Sequence, residues 1–178
     1  PWANGRNAKE YRATMGRKPI VGIFSVGVEE PYRWKDSVQS EAEIRLWVAD
    51  GVANGMRPWF TKFGAVLRDD RWLKPVEELY TRYWKWEKYL RNESSLARVG
   101  LVYSQQTSWF QGGERSREDA SLGWYQALVE ARIPFEMVHD RLFDAEHLAS
   151  FKTLILPSIA ALSDEQCRQL RDFTHRGG

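Results

Sequence analysis

A single cysteine, Cys167, stands among 178 residues, so no internal disulfide forms and cysteine usage assigns no compartment. Histidine is scarce as well: His139, His147 and His175 follow no metal-ligand spacing, and Cys167 sits mid-helix between polar neighbours. No apolar run approaches the roughly 18 residues of a membrane-spanning helix, so no membrane is expected as a partner. The formal net charge is only +2, too small to argue for nucleic acid. No G-x-S-x-G or G-x-C-x-G elbow occurs, which removes the usual candidate for nucleophilic hydrolysis. Gly112-Gly113 follows a strand-like segment and precedes a helical one, yet its spacing is not G-x-G-x-x-G. No cofactor and no metal are therefore expected. The start, PWANGRNAKEYR, has neither an initiator Met nor a signal-peptide pattern, and RDFTHRGG closes a helix at a glycine pair. The chain reads as a fragment of an α/β protein.

Aromatic residues are abundant: nine Trp, seven Tyr and eight Phe. Two readings compete, core and interface packing on one side and a sugar site with flat stacking faces on the other.

The stretch from Ser40 to Phe63 organises the first half. Ile44, Trp47, Val48 and Gly51 recur at i, i+3, i+4 and i+7, the spacing of one helix face. Gly51 and Gly55 are expected to break that helix before a short strand from Met56 to Phe60. Upstream, Lys18-Pro19 opens the apolar, β-branched run IVGIFSVGV, which suits a buried parallel strand. A short helix is expected around Ala8 to Met15. The loop VEEPYRWKDS (28–37) then falls at the strand's C-terminal end, the functional side of an α/β fold. Pro75 fits the first position of a helix reaching Arg91, and the segment 92–95 is the expected domain boundary.

The pattern then restarts. Strands are expected at Val99 to Tyr103, Pro134 to Val138 and Thr153 to Leu156. Ser104 to Arg117 reads as a long polar loop carrying Trp109 and Phe110, followed by a helix from Glu118 to Ala131. Asp144 reads as an N-cap, and Ser163 with Gln166 as a capping box for a helix ending near His175. Strands alternating with helices over short links imply right-handed crossovers and a parallel three-layer sandwich.

Glu29 and Glu30 are the only paired carboxylates at an expected strand end. Glycoside hydrolysis needs two carboxyl groups about 5 to 10 Å apart, and adjacent residues on one loop rarely address the same bond. The competing reading is a solvated loop. His139 beside Asp140 has the composition of an oriented base, but nothing nucleophilic is near it in sequence.

Taken together, the Lys18-Pro19 strand, Trp34, the helix–strand from Glu41 to Phe63, the helix from Pro75 to Leu90, ARVGLVYS (97–104) and TLILPSIAALSDEQCRQLRDFTHRGG (153–178) carry a resemblance. The chain resembles family 42-type glycoside hydrolases, the bacterial β-galactosidase-like group, in its uncharacterised branch. The resemblance implies that residues 1–95 are the C-terminal βα units of a catalytic (β/α)₈ barrel with a linking helix. Residues 96–178 would be the first part of a flavodoxin-like trimerisation domain, which also resembles the class I amidotransferase fold without its nucleophile elbow. It further implies a carbohydrate substrate and a homo-oligomer formed through the second domain. In the family, a K-P-hydrophobic strand ends in the nucleophile Glu. Here that position falls at Phe24 with Ser25 next, so Glu29 or Glu30 would have to substitute, or the nucleophile is lost. The family's acid/base Glu belongs to a strand before residue 1. The expected substrate-binding residues are Trp34 and Trp59 as stacking walls, with Arg57 and Lys62 as polar contacts. The alternative is a non-catalytic carbohydrate-binding or assembly protein.

Overall fold

The computed structural model describes residues 2–26, 38–61, 69–91, 93–111 and 114–178. Among the described residues it is a mixed α/β structure with two parallel sheets, and contacts divide the chain into two compact units, one of Pro1–Tyr11 and Arg17–Glu93 and the other of Arg12–Gly16 and Ser94–Gly178.

The first unit begins with helix α1 (Ala3–Met15), strand β1 (Ile20–Ser25), helix α2 (Glu41–Ala53) and strand β2 (Met56–Thr61). β1 and β2 pair in parallel from Ile20 opposite Met56 to Ser25 opposite Thr61. Ser40 starts α2 with a complete capping box: its hydroxyl accepts the Glu43 amide, and the Glu43 carboxylate accepts the Ser40 amide. This satisfies two of the amides that a helix start leaves open.

Gly51 does not break α2, contrary to the sequence expectation; the helix continues to Ala53. The reason is packing. A Cβ on Gly51 would lie 2.9 Å from the Phe24 ring, so glycine is what lets α2 press against β1. The turn itself belongs to Gly55, which has a positive φ of 96°.

Alternation along the strands gives this small sheet two unlike faces. Ile20 and Phe24 of β1 and Met56 of β2 are buried on the helix side; Phe24 joins Ile44, Val48 and Val52 of α2 in one cluster, while Ile20 and Met56 pack with Ala8 of α1. Val21, Ile23 and Trp59 point the other way and are 52%, 56% and 56% exposed. At the start of α1, the Gly5 amide donates to Asp50 Oδ2 at 2.7 Å and Asn4 Nδ2 donates to the Trp47 carbonyl at 3.0 Å. Burial pushes the Asp50 carboxyl above its usual range, and the Gly5 hydrogen bond opposes that rise.

Helix α3 (Leu73–Trp86) follows and tightens into a 3₁₀ turn at Glu87–Tyr89. Pro75 is its third residue rather than its first; it tolerates the place because amides of the first turn have no partner within the helix. The α-helix also stops five residues before the expected Arg91. Val76 and Leu79 lock α3 onto the Phe24 cluster, and Arg45 of α2 bridges to Glu78 of α3.

The second unit contains strand β3 (Val99–Tyr103), helices α4 (Gln105–Gln111) and α5 (Glu114–Glu130), strand β4 (Phe135–His139), the short helix α6 (Ala145–Leu148), strand β5 (Thr153–Ile155) and helix α7 (Asp164–His175). The three strands are parallel in the order β4-β3-β5. On one face, Val102 and Val138 pack with Leu148 of α6 and Phe173 of α7. On the other, Tyr125 of α5 meets Phe135 edge-on, with ring centroids 5.1 Å apart. The polar loop expected over 104–117 is mostly helical. Ser104 caps α4 by accepting the Thr107 amide at 2.9 Å, so polar residues there start a helix instead of avoiding one. Asp144 and Ser163 cap α6 and α7.

A Cβ at Gly100 would sit 2.7 Å from Leu154 Cδ2 and 2.9 Å from Val138 Cγ2, at the middle of this sheet. Gly100→Val is therefore expected to lower the unfolding free energy by about 1–3 kcal/mol through overpacking, read from urea unfolding curves. An unchanged midpoint would show that the sheet has room there.

Candidate functional site

In the first unit the carboxyl ends of β1 and β2 frame the candidate site, since ligands of parallel α/β sheets bind beyond that edge. Register sets Val21 opposite Arg57, Ile23 opposite Trp59 and Ser25 opposite Thr61. These six residues share the face that α1 and α2 leave open, and Arg57 and Trp59 are exposed on it. Phe24 has the opposite orientation and is buried against α2. Ser25, the next residue, carries the register of the open face. Glu29, Glu30, Trp34 and Lys62 lie outside the described residues, so of the expected site residues only Phe24, Arg57 and Trp59 have a place in this geometry.

A cavity of about 190 Å³ opens beside the end of β1. Phe24, Trp47 and Phe60 give it flat apolar walls, while Asn4, Ser25 and Gln39 bring two amides and a hydroxyl. It is smaller than the roughly 300 Å³ at which pockets for drug-sized ligands begin. Its chemistry suits a small polar molecule with an apolar face. Sequence reading missed Asn4 and Gln39, which come to β1 from separate elements with no motif to announce them.

The second unit holds a polar cluster at the ends of β3 and β4. Because Tyr103 pairs with His139, the next residues, Ser104 and Asp140, also come together. The Ser104 hydroxyl donates to Asp140 Oδ2 at 2.6 Å, and the Gln106 amide donates to the same oxygen at 3.2 Å. Gln166 of α7 donates from Nε2 to the Asp140 carbonyl at 2.7 Å. Thr107, also buried, accepts the amides of Ala160 and Ala161. A hydroxyl thus does lie beside the His139–Asp140 pair, correcting the expectation from sequence proximity; the strand register was the signal that could have found it.

The geometry argues for a clamp rather than a nucleophile. The Ser104 hydroxyl faces the carboxylate, a weak base, and not the imidazole, and its oxygen is also engaged as the cap of α4. His139 Nδ1 accepts the Arg141 amide at 3.1 Å and lies 2.9 Å from Asp140 Oδ1, while its ring meets Tyr103 edge-on at 4.9 Å. Burial pushes the His139 pKa below its ordinary value, opposed by the Asp140 carboxylate and reinforced by Arg141. Among the described residues no group of three or more His, Cys, Asp or Glu is placed to hold a metal, and no helix is long and apolar enough to cross a membrane.

No protein-family model matches the chain, and no curated protein matches it. Among the solved structures that share its fold are two β-galactosidases. The β-galactosidase from Bacillus circulans sp. alkalophilus superposes with a TM-score of 0.77 at 17% identity, over 95% of this chain and 28% of that one. The β-galactosidase from the psychrophilic Marinomonas ef1 gives 0.70, also at 17% identity, over 95% of this chain and 29% of that one. The chain spans less than a third of either structure, and the likeness is one of fold.

The depressed His139 pKa has a consequence for stability. Between the folded value and the unfolded value of about 6.5, the unfolded chain binds more proton, so the stabilisation is complete above that range and declines as pH falls through it. Urea midpoints of the native chain are expected to drop between pH 7.5 and 5.5 more than those of His139→Gln. Parallel pH profiles for the two proteins would refute the assignment.

Proposed function

We propose that this chain is part of a glycoside-hydrolase-like protein of the family 42 type, whose parent hydrolyses an O-glycosidic bond of a β-galactoside-like carbohydrate. In this reading β1, α2, β2 and α3 are the closing βα units of a (β/α)₈ barrel, and the second unit is the start of a flavodoxin-like domain devoted to assembly. The supporting observation is the two-faced β1–β2 pair. Two parallel strands are too few to stand alone, and parallel sheets are covered on both faces. Here helices cover one face while Val21, Ile23 and Trp59 lie open on the other, the face that lines the interior of a closed barrel. The β4-β3-β5 order with helices on both faces likewise fits the first three strands of a doubly wound sheet.

Trp59 is then a sugar-stacking wall and Arg57 a polar contact near the barrel mouth, with Trp34 and Lys62 proposed for the same roles. Glu29 and Glu30 remain the proposed carboxylates. The second reading, a carbohydrate-binding or assembly protein without turnover, is favoured by one observation: Phe24, at the family's nucleophile position, is buried against α2 and offers no carboxylate.

The longer protein decides between them. Turnover of nitrophenyl galactoside, lost in Glu29→Gln or Glu30→Gln, supports the enzyme, and sugar binding without turnover supports the second reading. In the longer protein Trp59→Ala is expected to weaken sugar affinity about tenfold while moving the melting temperature by less than about 2 °C, since a ring at the barrel mouth faces the ligand and not the packed layers below it. A large melting shift at unchanged affinity would make Trp59 a packing residue instead.

Assembly through the second unit is proposed from Trp109 and Phe110, both exposed on α4, because aromatic side chains are enriched where protein surfaces meet. Replacing both with Ser is expected to lower the oligomer mass in light scattering. An unchanged mass would remove α4 from the interface.

A further inference from the structure

The cavity beside the end of β1 has no part in the reading above, yet five parts of the chain converge on it. Asn4 comes from α1, Phe24 and Ser25 from β1, Gln39 from the residues before α2, Trp47 from α2 and Phe60 from β2. Two polar groups here are unmatched. Asn4 donates from Nδ2 to the Trp47 carbonyl at 3.0 Å, and its Oδ1 accepts from none of the described residues. The Gln39 side-chain amide has no partner among the described residues either. Its backbone, by contrast, is fixed. The Gln39 amide donates to the Val26 carbonyl at 2.9 Å, the Val26 amide donates to the Thr61 carbonyl at 3.0 Å, and the capping box of Ser40 follows at once. Trp47 and Phe60 are partly buried and pack against the Phe24 cluster, so the apolar walls are fixed as well.

None of the described residues lining the cavity is charged, so a phosphate or carboxylate would enter without a counter-charge. A purely apolar guest would leave the Gln39 amide and the Asn4 carbonyl unpaired. What fits is a neutral molecule with an apolar face for the rings and hydroxyls that both donate and accept. Size narrows the choice further. An apolar cavity of roughly 150 Å³ takes one benzene ring, so this one of about 190 Å³ takes one ring and not a chain of them. We infer that this cavity binds a single neutral sugar ring, its C–H face against Trp47 and its hydroxyls on Gln39 and Asn4. Arg57 and Trp59 are not among the lining residues, so this is a second carbohydrate site, distinct from the Trp59 wall. The choice of a sugar over a neutral planar base rests on the carbohydrate reading of the fold.

The test follows galactose by ligand-observed NMR in the longer protein carrying Trp59→Ala, with galacturonate, adenine and phenol as rivals of similar size. Saturable galactose binding is expected, with a dissociation constant on the order of 1 mM for so small a ligand. Gln39→Leu keeps the volume and removes the amide. It is expected to weaken that binding about fivefold, the worth of one neutral hydrogen bond, at an unchanged melting temperature. No saturable binding, tighter binding of galacturonate, adenine or phenol, or indifference to Gln39→Leu would each overturn the proposal. The two sugar sites fail separately. Should Trp59→Ala lower galactoside affinity while Gln39→Leu changes nothing, the cavity alone is lost. Should Gln39→Leu lower it while Trp59→Ala changes nothing, the Trp59 wall is lost and the cavity stands.

Discussion

The contact between Phe24 and Gly51 is the constraint on which the first unit depends. A parallel strand pair needs a crossover helix, and the helix must come close enough to exclude water from the sheet. With no side chain on Gly51, α2 settles onto the Phe24 ring, and Ile44, Val48 and Val52 close around it. Once Phe24 faces the helices, period-two alternation leaves no choice for its neighbours: Ile23 and Ser25 must turn to the opposite face, and pairing brings Trp59 and Thr61 beside them. The open face therefore follows from packing on the closed one. A one-residue slip of β1 would bury Ile23 and Ser25 and expel Phe24, exchanging a large ring for a hydroxyl in the core.

The second unit depends on a buried charge. Asp140 is 1% exposed, and an unpaired carboxylate there would be strongly unfavourable. The Ser104 hydroxyl and the Gln106 amide both point at it from the start of α4, so the amides that a helix start leaves open and the charge that the strand end buries satisfy one another. Gln166 and Thr107 tie the same corner to α7 and to the segment before it. Hydroxyl, imidazole and carboxylate lie within a few ångströms, yet their pairing is that of a structural corner. Which atoms face each other decides the chemistry, and here the serine faces the carboxylate.

The two units treat their aromatic residues differently from what a packing role requires. Phe24, Tyr125, Phe135, Phe143 and Phe173 are buried in cores, whereas Trp59, Trp84, Trp109 and Phe110 stand in solvent. These four fall on three separate elements, β2, α3 and α4, and those on β2 and α4 support the sugar wall and the assembly contact proposed above.

Local physics was legible in the sequence. The capping boxes at Ser40 and Ser163, the Asp144 cap and the strands β1 to β5 of the described residues depend on residues within a few positions of one another, and they appear where spacing and β-branching place them. The mixed α/β class with parallel strands follows from the alternation of those elements. What failed in the sequence reading needed a distant partner. Gly51 resembles a helix breaker until Phe24 is set against it, and Ser104 to Arg117 resembles a loop until Ser104 caps a helix and Asp140 anchors it. The direction in which Phe24 points and the meeting of Asn4 and Gln39 at one cavity were likewise decided only by tertiary packing. Composition can call for aromatic rings and for their burial. Only the three-dimensional competition for a finite core decides which rings are left outside to bind something.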